Sequence, residues 1–162
     1  MVRVGHAAGR RDFQAAYRAG WMALGVTCGF MATTTLIILS TQTVFASLFL
    51  DGAQADSEQV LALAASLLFL AAFFQLADGL QAVAAGALRG LNDTAVPMVM
   101  AALSYWGVGA GSALWLAFGL NLGAHGIWMG FIAGLTCAAI LLIWRFDRQW
   151  RRKYLPEPVR SG

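Results

Sequence analysis

The chain has 162 residues, of which 59% are hydrophobic and only 12% charged, and its mean hydropathy is +0.66. That composition excludes a water-soluble domain and marks an all-α, polytopic membrane protein. The formal charge of +3 gives no ground for a nucleic-acid partner, because the basic residues are spread along the chain where they act as topology signals at a membrane surface.

In chain order, residues 1–18 form a basic connection holding Arg3, Arg10, Arg11 and Arg18. A bilayer-crossing helix needs about 20 mostly apolar residues. The first such run, 19–40, lies in a stretch with no charged side chain between Arg18 and Asp51. It is too long for a signal peptide and ends without a small-residue cleavage site, so it is expected to stay in the protein. A loop at 43–59 follows, with Asp51, Asp56 and Glu58 and no basic residue. The second span, 60–88, is interrupted only by Asp78 and is closed by Arg89. "LNDTAVP", residues 91 to 97, reads as a turn and a capped helix start, with Asn92, Asp93 or Thr94 accepting free backbone donors and Pro97 in the first turn. From Thr94 to Trp144 no charge occurs. This run is too long for one crossing, so it folds back at "FGLNLGAHG", residues 118 to 126, giving spans at 97–118 and 126–144. A basic tail, "RFDRQWRRKY", ends the pattern and suits anionic lipid. Residues 19–162 thus form a four-helix transmembrane unit with that tail. Basic flanks stay cytoplasmic, which predicts both termini inside and the acidic 43–59 loop outside.

Close backbone approach through small residues holds membrane helices together. The GxxxG pairs Gly25/Gly29 and Gly107/Gly111, and the repeat Gly126/Gly130/Gly134 running on to Ala138, predict faces buried against other helices. Cys28 and Cys137 lack metal or redox spacing and read as packing residues. Trp21 and Trp144 at one level, and Trp115 and Trp128 at the other, fit interfacial belts. Trp106 does not: nine residues past Pro97, it sits about 14 Å along its helix, at mid-membrane. Its ring serves either interhelical packing or an apolar or cationic ligand, and Tyr105 has the same two readings.

Asp78 lies about 16 Å from the Arg89 end of its helix, again mid-membrane. An ionised carboxylate there costs about 2.5 to 3.5 kcal/mol on insertion scales, and such residues usually face a cavity and serve transport or proton relay. Helical spacing sets Ala71, Gln75, Gln81, Ala82 and Ala85 on the same stripe, so two amides flank the carboxyl. The bland reading is a neutral Asp hydrogen-bonded to Gln75 or Gln81. No enzyme is expected. An intramembrane aspartyl protease needs a second acid in a span, and a Ser/His/Asp hydrolase fails because His6 and His125 read as loop residues on opposite sides.

Asp78 with Gln81, "GALRGLNDTAVP" at 86–97, and "YWGVG" at 105–109 closely resemble the multidrug and toxic compound extrusion (MATE) transporters, and "RVGHAAGRRDFQAAYRAG" at 3–20 resembles their cytoplasmic lead into a helix of the second half. Members have twelve helices in two lobes, and the resemblance places this chain at helices nine to twelve of the C-terminal lobe. It implies a fragment that begins inside the end of helix eight and lacks the N-terminal lobe, its partner. The implied function is secondary active efflux of amphipathic or cationic drugs across the cell inner membrane, in antiport with Na⁺ or H⁺ and without a cofactor. Asp78 matches the acid proposed to bind the coupling cation in the NorM-like branch, which makes it the one expected metal (Na⁺) ligand. Phe74 stands where some of that branch carry Tyr, so a hydroxyl ligand is lost and H⁺ stays open. Phe74, Tyr105 and Trp106 are the residues expected at a substrate cavity, and Gln75 and Gln81 the groups that orient the carboxyl. The alternatives are a non-transporting membrane scaffold, a small dimerising four-helix transporter, and a relative of the lipid-linked oligosaccharide flippases. The last would be expected to line its cavity with cations, and no Lys or Arg lies within a span.

Overall fold

The structure, a computed structural model, describes residues 2–49 and 57–154. Every described element is helical: α1 (Val2–Gly9), α2 (Phe13–Phe49), α3 (Ser57–Gly90), α4 (Ala95–Leu103), α5 (Gly111–Leu114) and α6 (Gly123–Tyr154). The backbone from α4 to Gly119 is one continuous rod in which Ser104–Ala110 and Trp115–Gly119 are wound as π-helix. Four stretches are long and apolar enough to cross a bilayer: Phe13–Thr41, Ala62–Gly90, Ala95–Gly119 and Gly123–Arg151. They coincide with the expected spans, but the helices run further at both ends. Charged side chains end a hydrophobic stretch without ending a helix, so the basic tail continues α6 as far as Tyr154. The expected loop at 43–59 shrinks likewise, since α2 reaches Phe49 and α3 starts at Ser57. Asp51 and Asp56 lie outside the described residues.

The turns follow from local chemistry. α1 ends with Arg11 in the left-handed region (φ 60°), the Asp12 N–H bonding Ala7 O at 3.0 Å and the Arg11 N–H bonding Ala8 O at 3.0 Å. α3 ends the same way at Asn92 (φ 60°), with Asp93 N–H to Leu88 O and Asn92 N–H to Arg89 O. Both are Schellman closures, which satisfy the carbonyls a helix leaves open. Asp12 then caps α2 by accepting the Ala15 N–H at 3.0 Å. The hairpin between the third and fourth spans turns through Asn121 (φ 55°) and Gly123 (φ 54°), within the expected 118–126 segment.

In space the order is first span, second, fourth, third: α2 packs on α3, α3 on α6, and α6 on the rod Ala95–Gly119, while α1 lies against the ends of α2 and α3. The fourth span meets the third through the expected glycine repeat. A Cβ on Gly126 would fall 2.5 Å from Ala117 N, one on Gly130 2.5 Å from the Ala113 Cβ, and one on Gly134 2.7 Å from the Gly109 Cα. Three successive positions on α6 therefore touch backbone three times across the seam, the contact on which membrane helices rely in place of hydrophobic burial. Gly25, Gly29, Gly107 and Gly111 have no atom within 4 Å of such a Cβ, so those two GxxxG pairs face away from the described chain, contrary to expectation. Cys28 is likewise exposed rather than packed, whereas Cys137 accepts the Ser104 hydroxyl at 3.6 Å. Both histidines fall in helices and not in loops, His6 in α1 and His125 in the first turns of α6, where its Nε2 lies 2.8 Å from Ser66 Oγ of α3.

The best-packed region lies at the basic end, where Leu24, Ala84, Ala85, Ala87, Leu88, Leu142 and Phe146 form one buried cluster. Two polar networks lie beside it. Asp93 does not cap the helix that follows it, and Thr94 makes no side-chain cap either. Asp93 instead takes both Arg145 Nε and Arg145 Nη2, the latter at 3.1 Å, together with Gln149 Nε2. Tyr17 donates its hydroxyl to Asp147 Oδ1 at 2.8 Å, and Arg151 Nε donates to the other oxygen at 2.7 Å.

Candidate functional site

Asp78 sits on α3 with Ala77 and Gly79 buried on either side of it, yet its own side chain is exposed. The alternation follows from helix geometry. At 100° per residue, Ala77 turns inward, Gly79 meets Met31 of α2, and Asp78 points away from both neighbouring helices. Among the described residues no hydrogen bond or ion pair reaches its carboxylate. Tyr105 lies in the π-wound segment of the third span, which is separated from α3 in the row by α6.

The flanking amides behave differently from each other. Gln75 donates to Thr35 Oγ1 of α2 at 3.3 Å, and Thr35, itself 6% exposed, donates on to Ala72 O at 2.9 Å. Gln75 is thus tied to the α2–α3 seam. Gln81 is half-buried one turn along the same stripe from Asp78. Phe74 is half-buried with its ring edge-on to Trp128 of α6, centroids 5.6 Å apart at 80°, which fixes the aromatic wall between α3 and α6. Tyr105 is 38% exposed and Trp106 80% exposed, so the described residues leave the Trp106 ring largely uncovered. Among the described residues no three His, Cys, Asp or Glu side chains gather at one place. A cation at Asp78 therefore needs oxygens from amides, phenol, water or other parts of a larger protein.

The Asp93–Arg145–Gln149 and Tyr17–Asp147–Arg151 networks were not foreseen. The available signal was weak but physical: the expected hairpin topology puts Asp93 and Arg145 at the same membrane level, where opposite charges can meet. The π-wound segments had no sequence signal. They matter because π-winding is enriched at functional sites and here rotates Tyr105 relative to a regular helix.

Comparison with known proteins gives this geometry a context. The family model for MatE matches residues 1–115. The multidrug resistance protein NorM of Burkholderia vietnamiensis is 45% identical over 145 residues, which is 90% of this chain and 31% of that protein. The probable multidrug resistance protein NorM of Rhodopseudomonas palustris is 47% identical over 150 residues, covering 93% of this chain and 31% of its own. The crystal structure of the eukaryotic MATE transporter AtDTX14 superposes with a TM-score of 0.79 at 24% identity, over 93% of this chain and 34% of that one. The chain spans about a third of the length of the curated relatives it matches. With four bilayer-length helices in the arrangement of a solved MATE transporter, and a family match over residues 1–115, the chain is a multi-pass membrane protein that belongs to the MatE family.

Proposed function

We propose that this chain supplies the coupling-ion portion of a secondary active transporter, one that expels amphipathic or cationic drugs across the cell inner membrane in exchange for Na⁺ or H⁺. The observation that supports it most is the exposed, unbonded carboxylate of Asp78 at mid-span. Exposed to lipid it would cost about 2.5 to 3.5 kcal/mol, so a water-accessible path is its natural surrounding. In this reading a cation or proton arriving from outside neutralises Asp78, weakens the hold on the drug and favours return to the inward-facing state. Gln81 and Tyr105 orient the carboxylate and offer oxygens to an incoming ion, Gln75 holds α3 to α2, and Phe74, Tyr105 and Trp106 present ring faces to a cationic substrate. Both termini lie in the cytoplasm. The other half of the cavity belongs to the N-terminal lobe of the same transporter, and the present chain alone moves no substrate.

The test is Asp78→Asn in a transporter that carries this chain as its C-terminal third. Efflux of a cationic dye from energised vesicles should stop while membrane expression is unchanged, and undiminished efflux would refute the role. Efflux by vesicles holding only these 162 residues would contradict the requirement for the other lobe.

A further inference from the structure

The contacts across the α2–α3 seam fix which side chain of α2 stands beside Asp78. A Cβ on Gly79 would fall 2.9 Å from Met31 Cγ, and one turn further along α2 the Thr35 hydroxyl donates to Ala72 O while Gln75 donates to Thr35. Residue numbers rise along α2 as they fall along α3, so the two helices are antiparallel. An antiparallel pair is related by a two-fold axis normal to the plane of the two rods. The residue one before a contact position therefore turns by the same angle, about 100°, to the same flank on both helices. On α3 that residue is Asp78, one before Gly79, and on α2 it is Thr34, one before Thr35. With Met31 opposite Gly79 and Thr35 opposite Gln75, Thr34 lies level with Leu76, two residues from Asp78, or about 3 Å of rise.

Thr34 is half-buried on that flank, and its hydroxyl donates to Phe30 O at 2.9 Å. Its one hydrogen is thereby committed, so towards Asp78 its oxygen can only accept, and an ionised carboxylate is acceptor-only as well. Acceptors facing one groove at mid-span need a positive species between them. A proton joins two oxygens only at hydrogen-bond distance, about 2.5 to 3.0 Å, whereas a hard cation is held by oxygens that it keeps apart. Asp78 is the acid at mid-depth of this chain, and one carboxylate balances one positive charge, so a divalent ion would leave a net charge there. We propose that Thr34 Oγ1 and the Asp78 carboxylate are joint ligands of a monovalent hard cation, Na⁺, across the α2–α3 seam. The inference rests on the coupling role of Asp78 argued above and names its ion. Thr33 supplies the contrast. Its hydroxyl is bonded in the same way, to Gly29 O at 2.9 Å, but about 100° further round α2 it is exposed and turned away from α3.

The test uses a purified transporter that carries this chain as its C-terminal third. Equilibrium binding of radiolabelled Na⁺ is measured in detergent, and cationic-dye efflux from vesicles is measured against external Na⁺ at equal pH on both sides. Thr34→Val keeps the shape and removes the oxygen; it should weaken Na⁺ binding, and raise the half-saturating Na⁺ for efflux, by about tenfold, the worth of one neutral ligand to a charged group. The maximal rate should be kept. Thr34→Ser, which restores the oxygen, and Thr33→Val should both stay within about twofold of the parent. Should Thr34→Val not reach the membrane, Thr34→Ala takes its place. Unchanged Na⁺ binding in the variant, a lowered maximal rate with unchanged half-saturation, or a parent that binds no Na⁺ would overturn the proposal. Asp78→Asn separates the two claims: if it stops efflux while Thr34→Val leaves Na⁺ affinity unchanged, only the Thr34 ligand falls, and if efflux persists in Asp78→Asn the coupling role falls with it.

Discussion

The seam between the third and fourth spans gives the sharpest test of how this bundle is held together. Gly130→Ala places a methyl group 2.5 Å from the Ala113 Cβ, where ordinary contact begins at 3.4 Å, and backbone atoms of Ala113 stand equally in the way. No flexible side chain can yield, so the two helices must separate by about 1 Å. A gap of that size forfeits a quarter to a half of the dispersion energy of each contact it opens, here at Gly126 with Ala117 and at Gly134 with Gly109. Together with the overpacking itself, the cost is about 2 to 4 kcal/mol. Gly107→Ala is the matched control, since nothing lies within 4 Å of its new methyl group. Thermal unfolding followed by circular dichroism in detergent should show a clear loss for Gly130→Ala, with Gly107→Ala at or slightly above the parent because alanine is the better helix former. Disulfide trapping of Cys pairs introduced at Leu116 and Ile127 should slow in Gly130→Ala alone. Equal melting of the two variants would refute the reasoning, for it would mean that the seam does not rely on backbone contact.

Other expectations concern single bonds. Asp93→Ala leaves Arg145 and the Gln149 amide without their acceptor in a region where their side chains are largely covered, and should cost about 2 kcal/mol in the same melt; the exchange Asp93→Arg with Arg145→Asp should recover part of it. Thr35→Val removes the donor to Ala72 O and the acceptor of Gln75 at nearly constant volume, and a loss of about 1 kcal/mol should appear with faster hydrogen exchange in the middle of α2 and α3. Asn92→Gly should be neutral in the melt and Asn92→Val destabilising by about 1 to 2 kcal/mol, because only the first accepts the left-handed turn that closes α3.

How much of this could be read from the chain depends on the range of the interaction. The four crossings were legible because bilayer thickness imposes a run of about 20 apolar residues, and the hairpin at 118–126 because Asn and Gly are the residues that take positive φ. Helix ends were placed short by up to ten residues, nine at Phe49 and ten at Tyr154, because hydropathy reports the hydrocarbon boundary and not the last hydrogen bond. Of three glycine patterns one meets backbone. Spacing along a helix records which residues share a face, and which face finds a neighbour is decided by other elements. "LNDT" reads as a cap in isolation, but Asp93 found Arg145, 52 residues away, and a charged pair outcompeted a local backbone bond. The same limit applies to Gln75, a neighbour of Asp78 by helical count that bonds to α2 instead.

The treatment of acids in this fold bears on the meaning of Asp78. Asp12 caps α2, Asp93 holds Arg145 and Gln149, and Asp147 takes Tyr17 and Arg151. Each lies near an end of a span, where water would have solvated it cheaply, and each is bonded all the same. Asp78 is the acid at mid-depth, where an unpartnered charge costs most, and it alone of these four has no hydrogen bond among the described residues. A purely structural carboxyl in that position would be expected to fold onto Gln81 or turn into the α2 seam beside Gln75 and Thr35, where hydroxyl and amide groups are already at hand. It does neither, and under the proposed function its partner is a mobile cation or proton, or a group on the rest of a larger transporter. These two can be told apart. If the partner is a fixed side chain, the apparent pKa of Asp78 in the assembled transporter, read by infrared difference spectroscopy of its carboxyl stretch, should not move with Na⁺ concentration or with added drug. If the partner is the coupling ion, that pKa should move with Na⁺ or respond to drug, and an Asp78 carboxyl indifferent to both would rule out the coupling role.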